Sequence, residues 1–145
     1  MPPRAWRPCS GQGKYYGGSP FVHFLGRNVY LGLYNGLVSV ILGHAVLFGS
    51  NFALRTSAWE RLRERVHRHD KRVHDDVDIA VNLLPSMESR FDSSLVVGLS
   101  ARPFRSWSNF WKKVTMFFET MYINNADESL WRRRRMHRLA ARAWA

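Results

Sequence analysis

The sequence predicts an α/β protein, a mixed sheet with flanking helices followed by a basic C-terminal helix. Three observations carry that prediction. Its 145 residues are 46% apolar and 14% aromatic, enough for one small core and too rich in Trp, Phe and Leu for a wholly disordered chain. Strand-like runs over Ala45–Ala53 and Arg90–Leu99 are separated by stretches whose apolar residues recur at helical spacing. The last fifteen residues, Trp131–Ala145, carry Arg132, Arg133, Arg134, Arg135, Arg138 and Arg142 with no acid among them.

Taken in order, residues 1–27 are rich in Gly, Pro and Arg and read as an irregular arm. They contain no apolar core of a secretory leader. No charge then falls between Arg27 and Arg55, a run long enough to cross a bilayer, where about 20 apolar residues suffice. Asn35, His44 and Asn51, with Gly32, Gly36, Gly43 and Gly49, weaken a continuous spanning helix. The favoured reading of 28–54 is therefore a buried helix, then a buried strand with a Gly49-Ser50-Asn51 turn. The capping-box pattern Ser57-x-x-Glu60 starts the next helix, with Trp59, Leu62 and Val66 on its inner face. His67–His74 is polar and loop-like, and delivers the chain to Asp75-Asp76-Val77-Asp78 and a short helical run that Pro85 ends. Arg90–Leu99 reads as a strand. Beyond Pro103 the aromatic residues Trp107, Phe110, Trp111, Phe117 and Phe118 return at helical spacing. That helix either packs on the core or lies in a membrane interface. The domain division is 1–27, 28–104 and 105–145.

Charge narrows the partners. Lys and Arg number 22 against 11 acids, a formal charge of +11, which suits anionic partners: nucleic acid, a lipid surface or a phosphorylated substrate. A lone cysteine, Cys9, excludes an internal disulfide framework. Asp75, Asp76 and Asp78 crowd three carboxylates into four positions. Acids in a first helical turn bind its free N–H groups, but the same cluster can supply a general base or a metal ligand. His67, His69 and His74 lie nearby, yet among Arg68, Lys71 and Arg72, which oppose a cation, so they read as surface-loop histidines. No phosphate-cradling Gly-rich loop and no Gly-x-Ser-x-Gly nucleophile elbow is present.

The order of these pieces is more specific than any one of them. Gly49-Ser50-Asn51-Phe52-Ala53-Leu54-Arg55, the Ser57-Ala58-Trp59 helix, and Val73-His74-Asp75-Asp76-Val77-Asp78-Ile79 together resemble an inverting family 2 glycosyltransferase, whose pattern is a Gly-x-Asn-x-Ala-x-Arg turn, a short helix and an acidic pair opening another helix. Phe91–Val97 and Ser100-Ala101-Arg102 fit the same pattern, so the resemblance runs from about Tyr30 to Trp111. It implies a GT-A fold and transfer of a sugar from a nucleotide-sugar donor to an acceptor hydroxyl. Asp76 matches the catalytic base, Asp75 would orient it or the acceptor, and Gly49, Ser50 and Asn51 match the turn lining the substrate pocket.

The family also implies a divalent metal, Mg or Mn, held by an Asp-x-Asp after an earlier strand. Nothing before Tyr30 supplies that motif or the nucleotide-binding units, and Asp76-x-Asp78 opens a helix instead, so no metal ligand is assigned. The resemblance thus describes an acceptor-side half, a truncated form, which would leave a sheet edge and an apolar face uncovered. Absence of Gln-x-x-Arg-Trp points to single transfer rather than polymerisation. The expected location is the cytoplasm, at the inner face of the membrane, and nucleic acid is not an expected partner. The alternative reading is a small basic membrane-associated protein without catalysis.

Overall fold

A computed structural model describes residues 8–17, 19–24, 26, 32–87, 89–100 and 106–143. It is a mixed α/β structure. The elements run β1 (Cys9–Tyr16), α1 (Pro20–Phe24), α2 (Gly32–Leu42), β2 (Phe52–Ala53), α3 (Thr56–Leu62), α4 (Asp75–Asn82), β3 (Arg90–Ser100), α5 (Trp107–Asp127) and α6 (Leu130–Ala143). The sheet has the order β2-β1-β3, with β1 antiparallel to β2 and parallel to β3.

The largest departure from the sequence reading is β1. Residues 9–16, expected to be part of an irregular arm, form the central strand of the sheet. Gly11 and Gly13, which suggest a mobile segment, serve close packing instead. A Cβ on Gly11 would lie 2.3 Å from the Leu95 carbonyl oxygen, and one on Gly13 2.1 Å from Leu99 Cδ1. The pairing of β1 with β3 slips between Gly11 and Gln12, where Gly11 faces Asp92 but Gln12 faces Val96. The skipped residues are stitched down by Gln12 Nε2, which donates to the Ser93 carbonyl at 2.6 Å.

The expected strand over Ala45–Ala53 shrinks to Phe52–Ala53, and residues 45–48 run without regular structure. Val46 and Leu47 are nevertheless buried. Two amides of this segment donate to side chains: Ser39 Oγ accepts from the Val46 N–H at 3.3 Å, and Ser10 Oγ from the Phe48 N–H at 2.8 Å. The capping box is also corrected. Arg55 is the N-cap of α3, with no side-chain cap, and the helix ends at Leu62, so Val66 lies beyond it. Residues 27–31, 101–105 and 144–145 are outside the described residues. They include the start of the apolar run at Asn28, Tyr30, Ala101-Arg102, Pro103 and Trp144.

The core is built by helices. Val38 and Leu42 of α2, Ala58 and Leu62 of α3, and Val77, Ala80 and Val81 of α4 close on Leu47, Leu83, Met87 and Met121. Burying a Leu, Val or Met of this set contributes about 2 kcal/mol each. Helix α2 packs on α6 and α4 on α5. The sheet is less covered: Phe91, Leu95 and Val96 of edge strand β3 are exposed. No described helix is long and apolar enough to cross a membrane.

Candidate functional site

Helix α4 places its acids by its geometry. With His74 as N-cap, Asp75, Asp76 and Asp78 occupy the first turn and diverge from one another. Asp75 is exposed on the wall of a cleft of about 700 Å³. Asp76 lines the same cleft, with its carboxylate largely buried and both oxygens hydrogen-bonded. Its Oδ2 accepts from the Gly49 N–H at 2.8 Å, and its Oδ1 accepts from the Val77 N–H at 2.9 Å and contacts His74 Nδ1. Asp78 turns inward, 3% exposed.

The acids therefore do not converge. Asp76 is occupied by His74 and two amides, and Asp78 faces the interior, so the residues present do not fit the divalent cation that the resemblance implies. No step of the chemistry below passes through one.

Burial alone would raise the Asp76 carboxyl. The His74 hydrogen bond and charge, with the Gly49 and Val77 amides, outweigh it and hold the group below its ordinary value. In return, the hydrogen bond that His74 donates to Asp76 raises His74 above the ordinary 6.5, against the desolvation of its ring. Asp76 is thus ionised and oriented across the neutral range. Gly49 is the residue that permits this contact, because a Cβ there would sit 2.6 Å from Asp76 Oδ2.

The other expected binding residues separate. Gly49 and Ser50 line the cleft, whereas Asn51 does not. Its Nδ2 donates to the carbonyls of Leu95 at 2.9 Å and Gln12 at 3.2 Å, and its own carbonyl accepts from the Gly11 N–H at 2.9 Å. Asn51 is a staple between the turn and the two long strands. The remaining wall comes from Tyr15, Phe48, Ile79, Leu99, Phe110 and Lys113. Of these, Lys113 follows Phe110 by three residues and so shares its helix face, a spacing visible in the sequence. Tyr15 was hidden in the apparent arm.

Two histidines read as surface-loop residues have carboxylate partners. His74 holds Asp76, and His67 Nδ1 lies 2.9 Å from Asp78 Oδ1 while its Nε2 lies 2.9 Å from Asp127. Behind the cleft, Asp78 accepts from Asn124 Nδ2 at 2.8 Å, and Asn82 Nδ2 donates to Asn124 Oδ1 at 2.7 Å. Arg133 Nη1 completes the set by donating to Asn82 Oδ1 at 2.8 Å. This buried network ties α4, α5 and α6 together and fixes the helix that carries Asp76. Family models, characterised proteins and solved structures give no match to this chain.

Proposed function

We propose that this chain is the acceptor-side part of an inverting, family 2-like glycosyltransferase, with Asp76 as its base. The observation that carries the reading is one carboxylate, held ionised in a cleft beside the Gly49-Ser50 turn, with its position fixed by the Gly49 amide. The resemblance expects a base and a substrate-lining turn as neighbours, and the fold makes them neighbours across 27 positions of sequence.

In this reading the acceptor hydroxyl enters the cleft near Asp76. Its oxygen bonds to the anomeric carbon of the donor sugar while the bond from that carbon to the nucleotide diphosphate breaks. The hydroxyl proton passes to Asp76, and the nucleotide leaves as the diphosphate. Such general-base assistance is worth about 10²–10⁴-fold. His74 keeps the carboxylate oriented, and Asp75, exposed at the same wall, faces the acceptor.

The test is Asp76→Asn, assayed for sugar transfer from a panel of nucleotide-sugars to hydroxyl acceptors, beside a thermal melt. Asn keeps an oxygen for the Gly49 amide, so folding should survive while transfer falls by about 10² or more. Unchanged transfer removes Asp76 from the chemistry. Loss of the fold assigns it to helix capping instead.

A further inference from the structure

We infer that α5 and α6 form a docking surface for an anionic phospholipid bilayer, lying along its interface rather than crossing it. This rests on the exposed faces of the two helices and is independent of the glycosyltransferase reading.

The first observation is an aromatic stripe that the core does not use. Helix α5 buries Met121 and Asn124, with Phe117 against the core. Away from that side stand Trp107 at 72% exposure, Trp111 at 50%, Phe118 at 65% and Tyr122 at 78%. At about 100° per residue these four positions fall within roughly 60° of arc on the helix. Trp107 also stacks on Phe110 and meets Trp111 edge to face, with ring centroids 5.6 and 5.7 Å apart. The outer aromatics are thus a packed ridge held clear of the core. Trp, Tyr and Phe are the residues that gain most at the headgroup boundary.

The second observation is the charge on the helix that follows it. On α6 the positions Trp131, Arg135, Arg138 and Arg142 likewise fall within roughly 60° of arc, and all are exposed. Arg135, Arg138 and Arg142 have no carboxylate partner among the described residues, unlike Arg132 and Arg133, which reach Glu128. Each cation near an anionic leaflet strengthens attachment to it. Exposed arginines on α6, the helix after the aromatic ridge, complement a surface that is negative at its headgroups and apolar beneath.

A bilayer fits better than the two rival occupants. A nucleic-acid strand stacked along α5 would need cations between the aromatic residues to meet its phosphates. No cation falls within the arc from Trp107 to Tyr122, and the positions that flank it are Val114 and Thr115. A second copy of this chain carries the same net +11 overall, so the two copies repel.

Flotation of the full chain with phosphatidylcholine vesicles, with and without phosphatidylserine, tests this. Binding should require phosphatidylserine and persist in part at high salt. Trp107→Ser, Trp111→Ser and Phe118→Ser together should weaken it at least about tenfold without shifting the melting temperature, since these side chains are exposed. Arg135→Gln, Arg138→Gln and Arg142→Gln together should abolish the preference for phosphatidylserine. The inference is overturned if the serine variant binds vesicles as wild type does, or if wild type ignores vesicles. It is also overturned if the same serine changes instead remove binding to an oligothymidylate or break a dimer seen by ultracentrifugation.

Discussion

Gly49→Ala tests the geometry that joins the turn to the acid. Gly49 is not in left-handed backbone, so alanine is permitted by its dihedrals and meets only a steric obstacle. That obstacle is Asp76 itself, with Oδ2 2.6 Å and Cγ 2.9 Å from the new Cβ. The carboxylate or the turn must move, and the 2.8 Å bond from the Gly49 amide breaks. A lost hydrogen bond to a charged group costs about 1.5–3 kcal/mol. Replacing glycine stiffens the unfolded chain and returns about 0.4–1 kcal/mol. The net expectation is destabilisation by about 0.5–2.6 kcal/mol, from these two effects. Urea unfolding followed by tryptophan fluorescence measures it, and carboxyl NMR should show Asp76 titrating at higher pH, because one of its donors is gone. The decisive control is the same change in an Asp76→Ala background, where there is no carboxylate to displace and the cost should vanish. An equal cost in both backgrounds would refute the contact as the cause.

Other consequences concern the histidines, the arginines and the central strand. His44 is held at about 4, chiefly by burial and then by the His137 ring 4.3 Å away, against an ordinary 6.5. The fold keeps it neutral, so stability is full above 6.5 and as pH falls toward 4 declines by at most about 3 kcal/mol. His74 acts in the opposite sense: its raised value gives stability that is full below 6.5 and lost as pH climbs through the folded value. Melting temperature should therefore drop on both sides of neutrality, with His44→Asn flattening the acid limb and His74→Gln the alkaline one. A profile that neither substitution alters would reject both assignments. Arg133→Ala, which strands Asn82 Oδ1 and the Val81 carbonyl, should cost about 3 kcal/mol in chemical denaturation. Exposed Arg135→Ala should change stability by less than about 0.5 kcal/mol, and equal effects would mean the arginines are undifferentiated. Gly11→Ala places a Cβ against the Leu95 carbonyl oxygen and should cost about 1–3 kcal/mol by overpacking. Wild-type stability there would exclude β1 from the sheet.

Local signals were legible where they agree with the tertiary structure. Helix α4 shows in its acidic first turn and in Pro85, β3 in its β-branched and apolar run, and α5 in its aromatic spacing but not in its ends. β1 was hidden because its glycines signal turns, and their need arises from residues distant in sequence, Asn51 and Leu95 for Gly11 and Leu99 for Gly13. The proximity of Asp76 to Gly49 followed from a motif order, but nothing local tells that Asn51 faces the strands rather than the cleft. Nor does a run of arginines announce that Arg133 is the one drawn to the buried amide network. That depends on which helix face meets the buried amide of Asn82.

The parallel pairing of β1 with β3 also sets the order of events in folding. Cys9 meets Arg90, and Tyr16 meets Ser100, so the sheet closes only across a very long loop. Such non-local closure is slow, whereas the core contacts among α2, α3 and α4 lie nearer in sequence. The helical core should consolidate first, with the central strand inserted as the last piece. In pulsed hydrogen exchange during refolding, the amides of Val81 and Leu62 should be protected before those of Gln12 and Lys14. Simultaneous protection would mean that sheet and helices form as one cooperative unit.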